Sequence, residues 1–92
     1  MRRAKVDQNQ AEIVAALREF GATVTSLHRV GDGVPDLLVS FLGVWYLMEI
    51  KVGTKKTNDL QNEWIERQKA PVYIVRSPAD AIRIFAAAEE AG

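Results

Sequence analysis

Cysteine is absent from this 92-residue chain, and histidine occurs once, at His28. A disulfide framework and a thiolate metal site are therefore impossible, and a zinc centre built on several histidines is excluded. Long apolar runs are missing as well. None approaches the roughly 18–20 residues of a membrane span. The basic start, Met1-Arg2-Arg3-Ala4-Lys5, is not followed by the apolar stretch that a signal peptide requires. A cytoplasmic protein without a membrane partner is the default expectation. Charge of one sign is also lacking, since 12 basic and 12 acidic residues balance to zero. A nucleic-acid binder usually carries a basic surplus. The basic residues are unevenly placed, however, with Arg2, Arg3 and Lys5 at the start and Lys51, Lys55 and Lys56 in the middle.

What is present is enough apolar material for one small core, with 48% hydrophobic residues. A single domain over residues 1–92 is expected, with residues 1–6 as a flexible basic arm. Asp7–Phe20 reads as a helix from the spacing of Ile13, Val14, Leu17 and Phe20, with Asp7 as N-cap and Gly21 as its stop. Thr23–Val30 alternates as a strand. Gly31-Asp32-Gly33 turns the chain, and Asp36–Phe41 and Val44–Lys51 follow as two more strands. The second is apolar on both faces and should lie inside the sheet. Thr57 or Asn58 caps a helix to about Lys69, with Leu60, Trp64 and Ile65 as its apolar stripe. Val72–Val75 is a short strand. Ser77-Pro78 opens a last helix whose buried side holds Ala81, Ile82, Ile84, Phe85 and Ala88. The order is αβββαβα, an α/β domain with a central mixed four-stranded sheet flanked by helices.

The middle of the chain carries the chemistry. Val34-Pro35-Asp36 and Glu49-Ile50-Lys51 bracket the two apolar strands. A hairpin folded about Leu42-Gly43 places Asp36 opposite Glu49. Directly opposed Cβ atoms lie roughly 4.5–5.5 Å apart, where like charges repel. A cation between them relieves that repulsion. Lys51 projects from the same face as Glu49. Two carboxylates and a lysine on one face suit a hard metal with a positive partner beside it, and the bound cation would leave the remaining surface mildly positive. Leu resists φ > 0, so Leu-Gly is a poor two-residue turn. A four-residue loop, Phe41–Val44, keeps the same pairing, whereas a three-residue loop shifts it by one and separates the carboxylates.

These features resemble the PD-(D/E)xK nuclease superfamily, and more narrowly its small stand-alone VRR-NUC domains. The likeness runs through the Gly31–Asp36 turn, the Met48–Lys51 strand end, the helix with Leu60, Gln61 and Trp64, and Ile74-Val75-Arg76, where Ser77 replaces the family's second arginine. It covers nearly the whole chain. The resemblance implies a restriction-endonuclease-like fold and hydrolysis of DNA phosphodiesters with Mg²⁺ or Mn²⁺, often at branched DNA such as Holliday junctions, by a homodimer. It implies Asp36, Glu49 and the Ile50 carbonyl as metal ligands and Lys51 beside the scissile phosphate. The first helix would supply a third acid, Asp7 at the edge of its packed face in preference to Glu12, which reads as solvated. Gln61 would reach a water or phosphate, while Lys55, Lys56 and Arg76 would hold the DNA backbone. His28 reads as structural, and Trp45 and Trp64 as core or dimer contacts rather than base-stacking platforms. Ala81, Ile84, Phe85, Ala87 and Ala88 are candidates for a contact between two copies. Two other functions compete: a non-catalytic nucleic-acid-binding module with a nuclease-like fold, and a small interaction protein that touches no nucleic acid.

Overall fold

The computed structural model describes residues 4–91, with side chains described for residues 9–87. The elements run α1 (Ala4–Phe20), β1 (Thr23–Ser26), β2 (Leu37–Phe41), β3 (Val44–Ile50), α2 (Asp59–Gln68), β4 (Tyr73–Val75) and α3 (Pro78–Ala91). The order is the expected αβββαβα. The four strands form one mixed sheet in sequence order: β1, β2 and β3 are antiparallel neighbours, and β4 runs parallel to β3. A parallel neighbour needs a crossover, and α2 lies within it.

One sheet face holds the core. Val24, Leu37, Val39, Tyr46, Met48 and Val75 point to it and pack against Ile13 and Leu17 of α1 and Ala81 and Phe85 of α3. Strand alternation puts every second residue there. An aromatic cluster closes one end, with the Phe41 and Phe85 ring centroids 4.2 Å apart and Tyr46 and Phe85 meeting edge to face with centroids 5.1 Å apart. Ala81 and Phe85 are thus buried within their own domain. This removes two of the expected dimer-contact residues, because α3 turns them toward the sheet. The Ala88 side chain lies outside the described residues.

Three local expectations are corrected. The helix α1 begins at Ala4, so Asp7 falls inside it and is not its N-cap, and residues 4–6 of the expected arm are helical. The remainder of that arm and the Asp7 side chain lie outside what is described. The first strand ends at Ser26, because only the Leu27 N–H continues its pairing, to the Asp36 carbonyl, before the Val30 N–H turns back to the Leu27 carbonyl. The hairpin turn is the tight two-residue one. Leu42 and Gly43 both take positive φ, 49° and 82°, while Phe41 pairs with Val44. The pairing register is the expected one even so. The α3 start is also as expected, since the Ser77 hydroxyl accepts the Asp80 N–H. Among the described residues no helix is long and apolar enough to cross a membrane.

Candidate active site

Leu37 pairs with Met48, so the next step of the hairpin brings Asp36 beside Glu49. Both side chains, with Lys51, point away from the face that α1 and α3 cover. Asp36 Oδ2 accepts the Ile50 N–H at 2.8 Å, which locks the β2 start to the β3 end. Glu49 is only 4% exposed, the one buried charged residue among those described. Its Oε2 accepts the Gln61 amide Nε2 at 2.8 Å and lies 3.5 Å from Lys51 Nζ. Lys51 itself is held by its backbone N–H on the Val75 carbonyl. Thus one oxygen of each carboxylate is engaged by the protein. Burial pushes the Glu49 carboxyl above its usual range, the Asp36 charge pushes it the same way, and Lys51 opposes both.

A hard cation fits this pair. A buried carboxylate is costly unless paired, and here a second carboxylate adds repulsion that one lysine does not cancel. Asp36 and Glu49 would hold a cation through oxygen, the donor type that Mg²⁺ or Mn²⁺ prefers. No group of three His, Asp or Glu side chains gathers among the described residues. Glu12 is exposed, and α1 packs on the opposite face of the sheet. Asp7 falls among the side chains left undescribed.

The Gln61 contact is built by the start of α2. Asn58 is the N-cap: its Oδ1 accepts the Gln61 N–H, and its own N–H donates to Gln61 Oε1. This reciprocal capping box fixes which way the Gln61 amide faces. With Oε1 held by a donor, Nε2 is the atom left to meet Glu49. The pattern Asn58-x-x-Gln61 was visible in the sequence, and it points to Asn58 as a positioning residue that motif comparison alone misses. Gly33 is a second such residue. Its φ is +83°, and a Cβ there would run into the Leu60 carbonyl, so only glycine lets α2 settle against the turn before Asp36. No α2 residue is buried. These polar and backbone contacts tie its start to the site.

The flanking residues are distributed around this centre. Lys55 and Lys56 are exposed on the loop between β3 and α2. Arg76 follows β4, and its Nη1 donates to the Gly53 and Lys55 carbonyls at 2.9 and 2.7 Å. Part of its guanidinium is therefore committed to shaping the lysine loop. Its backbone N–H donates to Asp80 of α3. His28 is exposed and far from a core role. Trp45 is 69% exposed and so is not a core residue, while Trp64 is half-buried on α2. No family model matches the chain, and comparison with curated proteins and with solved structures returns no match.

Proposed function

We propose that this chain is a metal-dependent DNA endonuclease that hydrolyses phosphodiesters, acting on branched DNA. The observation that carries the reading is the convergence of Asp36, Glu49, Lys51 and Gln61 on one sheet face, from three separate elements. The resemblance of the turn, strand end and helix to PD-(D/E)xK and VRR-NUC nucleases supports it. Bound Mg²⁺ or Mn²⁺ would supply Lewis acidity toward a phosphoryl oxygen and lower the pKa of a water molecule. Asp36, Glu49 and the Ile50 carbonyl would hold it. Gln61 and the capping box keep Glu49 in one orientation, which spares reorganisation during the reaction. Lys51 places positive charge where negative charge develops on the phosphate. Lys55, Lys56 and the free part of Arg76 would bind backbone phosphates, a contribution to affinity rather than sequence reading. Symmetric cutting of a junction needs two such sites, hence a two-fold dimer. A cytoplasmic location belongs to the same reading.

The test is incubation of the purified protein with four-way junctions, flaps and linear duplexes, with Mg²⁺ or Mn²⁺ and with chelator. Metal-dependent nicking of the branched substrates, lost in Glu49→Gln, is the expected result. Salt-sensitive binding without cleavage in either metal would favour a non-catalytic nucleic-acid-binding module instead.

A further inference from the structure

Among the described residues, the sheet face that carries Asp36 and Glu49 passes through half-buried Leu38, Ser40 and Leu47 and opens to solvent at Trp45, Thr23 and Thr25. Along β3 it presents Leu47 and then Trp45. Across the strands it presents Leu38 and Ser40 of β2, then Thr25 and Thr23 of β1. The start of α2 covers the carboxylate end, where Gln61 meets Glu49 and Leu60 lies over Gly33. β4 pairs only with Met48–Ile50, so beside Trp45 the sheet stops at β3 itself. The indole is 69% exposed. Its in-register neighbours are small and polar: Ser40, then Thr23. This row of one large ring and two small side chains leaves a flat shelf beside the indole. Across the strands Trp45 is thus flanked by hydroxyls rather than by the apolar residues of a protein–protein contact centre, and Leu47 with Leu38 follows it toward the carboxylates.

We propose that Trp45 stacks an unpaired nucleobase of the strand whose phosphate is cut at Asp36 and Glu49. The inference rests on the nuclease reading and adds a substrate feature to it. Trp45 and Glu49 lie on one strand and one face, about 13 Å apart at ~3.3 Å per residue. That is about four nucleotides at a stacked spacing of ~3.4 Å, and fewer for an extended strand. A base inside a duplex presents only its edges in the grooves, whereas an unpaired base offers its face to an aromatic ring. No charged side chain stands on this face between Trp45 and Glu49, so the shelf does not repel a nucleic-acid strand, and stacking works for any base. The substrate class is therefore DNA with a few unpaired nucleotides next to the cut, as at a flap or an open branch point.

The test uses the full chain carrying Trp64→Phe, so that Trp45 is the only tryptophan emitting. A short oligothymidylate is titrated in chelator and read by fluorescence. Quenching of Trp45 is expected; by anisotropy of a dye-labelled oligothymidylate, which needs no tryptophan, Trp45→Ala should lower affinity about tenfold and Trp45→Phe recover part of it. With metal, Trp45→Ala should lose preference for substrates with unpaired nucleotides beside the cut and keep its rate on a fully paired four-way junction. Cleavage whose substrate preference ignores Trp45 overturns this inference and leaves the nuclease reading intact. Quenching without cleavage of any substrate overturns the nuclease reading and leaves the stacking shelf. Absence of quenching overturns the inference, as does a fall in sedimenting mass caused by Trp45→Ala, which would make a second copy the occupant.

Discussion

The two faces of the sheet are built from alternating residues of the same strands, yet they follow opposite rules. One face, with Leu37, Val39, Tyr46 and Met48, is sealed by α1 and α3. The other holds Asp36, Ser40, Trp45 and Glu49; at its carboxylate end it meets a helix with no buried residue, and among the described residues it is exposed at Trp45. On the first face stability comes from apolar area removed from water. On the second, a buried carboxylate is placed beside another acid, where each neighbour is chosen by charge and hydrogen bonding. Core residues and proposed site residues are thus single steps apart on the chain: Leu37 is next to Asp36, and Met48 is next to Glu49.

The sharpest way to break this separation is to change those neighbours in turn. Asp36→Asn and Glu49→Gln should each reduce metal-dependent cleavage roughly 10³-fold or more, the scale of losing a charge-stabilising group, with the protein still folded. Leu37→Ala and Met48→Ala should instead cost about 2–5 kcal/mol of stability. Thermal melting and nicking assays on the four proteins decide the matter. A cleavage-competent Glu49→Gln would remove Glu49 from the site. The pH response adds a second readout. The folded state raises the Glu49 carboxyl above its ordinary 4.5. The folded protein therefore binds this proton more tightly than the unfolded chain, and Glu49 makes stability fall as pH rises from about 4.5 through the folded value. In chelator, Glu49→Gln should lack that decline and melt at or above the wild-type temperature near neutral pH. A variant that melts lower across the whole range would mean that the Lys51 contact outweighs burial.

Next in size is a contrast between two glycines of one turn. Gly31 and Gly33 both have positive φ, but a Cβ at Gly31 meets open space while one at Gly33 meets the backbone of α2. Gly31→Ala should cost only the left-handed strain, about 1–2 kcal/mol. Gly33→Ala should cost more and also push α2 away, breaking the Gln61 contact with Glu49. Cleavage should then fall about tenfold or more for Gly33→Ala at a temperature where both variants are folded. Equal activity in the two would show that α2 is not needed in place.

Much of the closed face was legible in the sequence, because alternation in the strands and helical spacing in α1 each point to one buried side. The Asp36–Glu49 pairing was legible too, since the hairpin register depends on loop length rather than on the turn residues' preference. The open face was not. The apolar run Val44–Met48 placed β3 inside the sheet, and it does lie between β2 and β4, but the run does not say which face a helix covers, so the exposure of Trp45 was not foreseen. Arg76 also escaped: nothing local says that its guanidinium meets carbonyls of a distant loop. Asn58 and Gln61 had a readable three-residue spacing, but their link to Glu49 required the β3–α2 geometry.

A smaller effect distinguishes Arg76 from the lysines it organises. If its clasp on Gly53 and Lys55 shapes the loop, Arg76→Gln should weaken DNA binding a few-fold, and add little in a protein already carrying Lys55→Ala and Lys56→Ala. A residue contacting phosphate independently would add its own loss and lower the salt-dependence slope by about 0.9 in either background. Binding titrations at several salt concentrations separate the two.

The smallest predicted effect lies at the hairpin tip, far from the carboxylates, and has the opposite sign. Leu42 sits at φ 49° and is 77% exposed. A branched side chain resists that conformation, and Asn or Gly suits the first position of a tight hairpin turn. The Leu42 side chain does line a shallow pocket of about 250 Å³ with Phe20, Phe41 and Phe85. Its exposure limits what this contact returns, so backbone relief should win. Leu42→Asn should raise stability by about 0.5–1 kcal/mol, seen as a higher melting temperature, with cleavage unchanged. Leu42→Gly should gain less, because glycine has more freedom to lose on folding. A lower melting temperature in Leu42→Asn would show that the leucine holds the aromatic cluster at this end of the sheet. The tip would then belong to the stabilising face, and the division between the faces would be less clean than the strand alternation suggests.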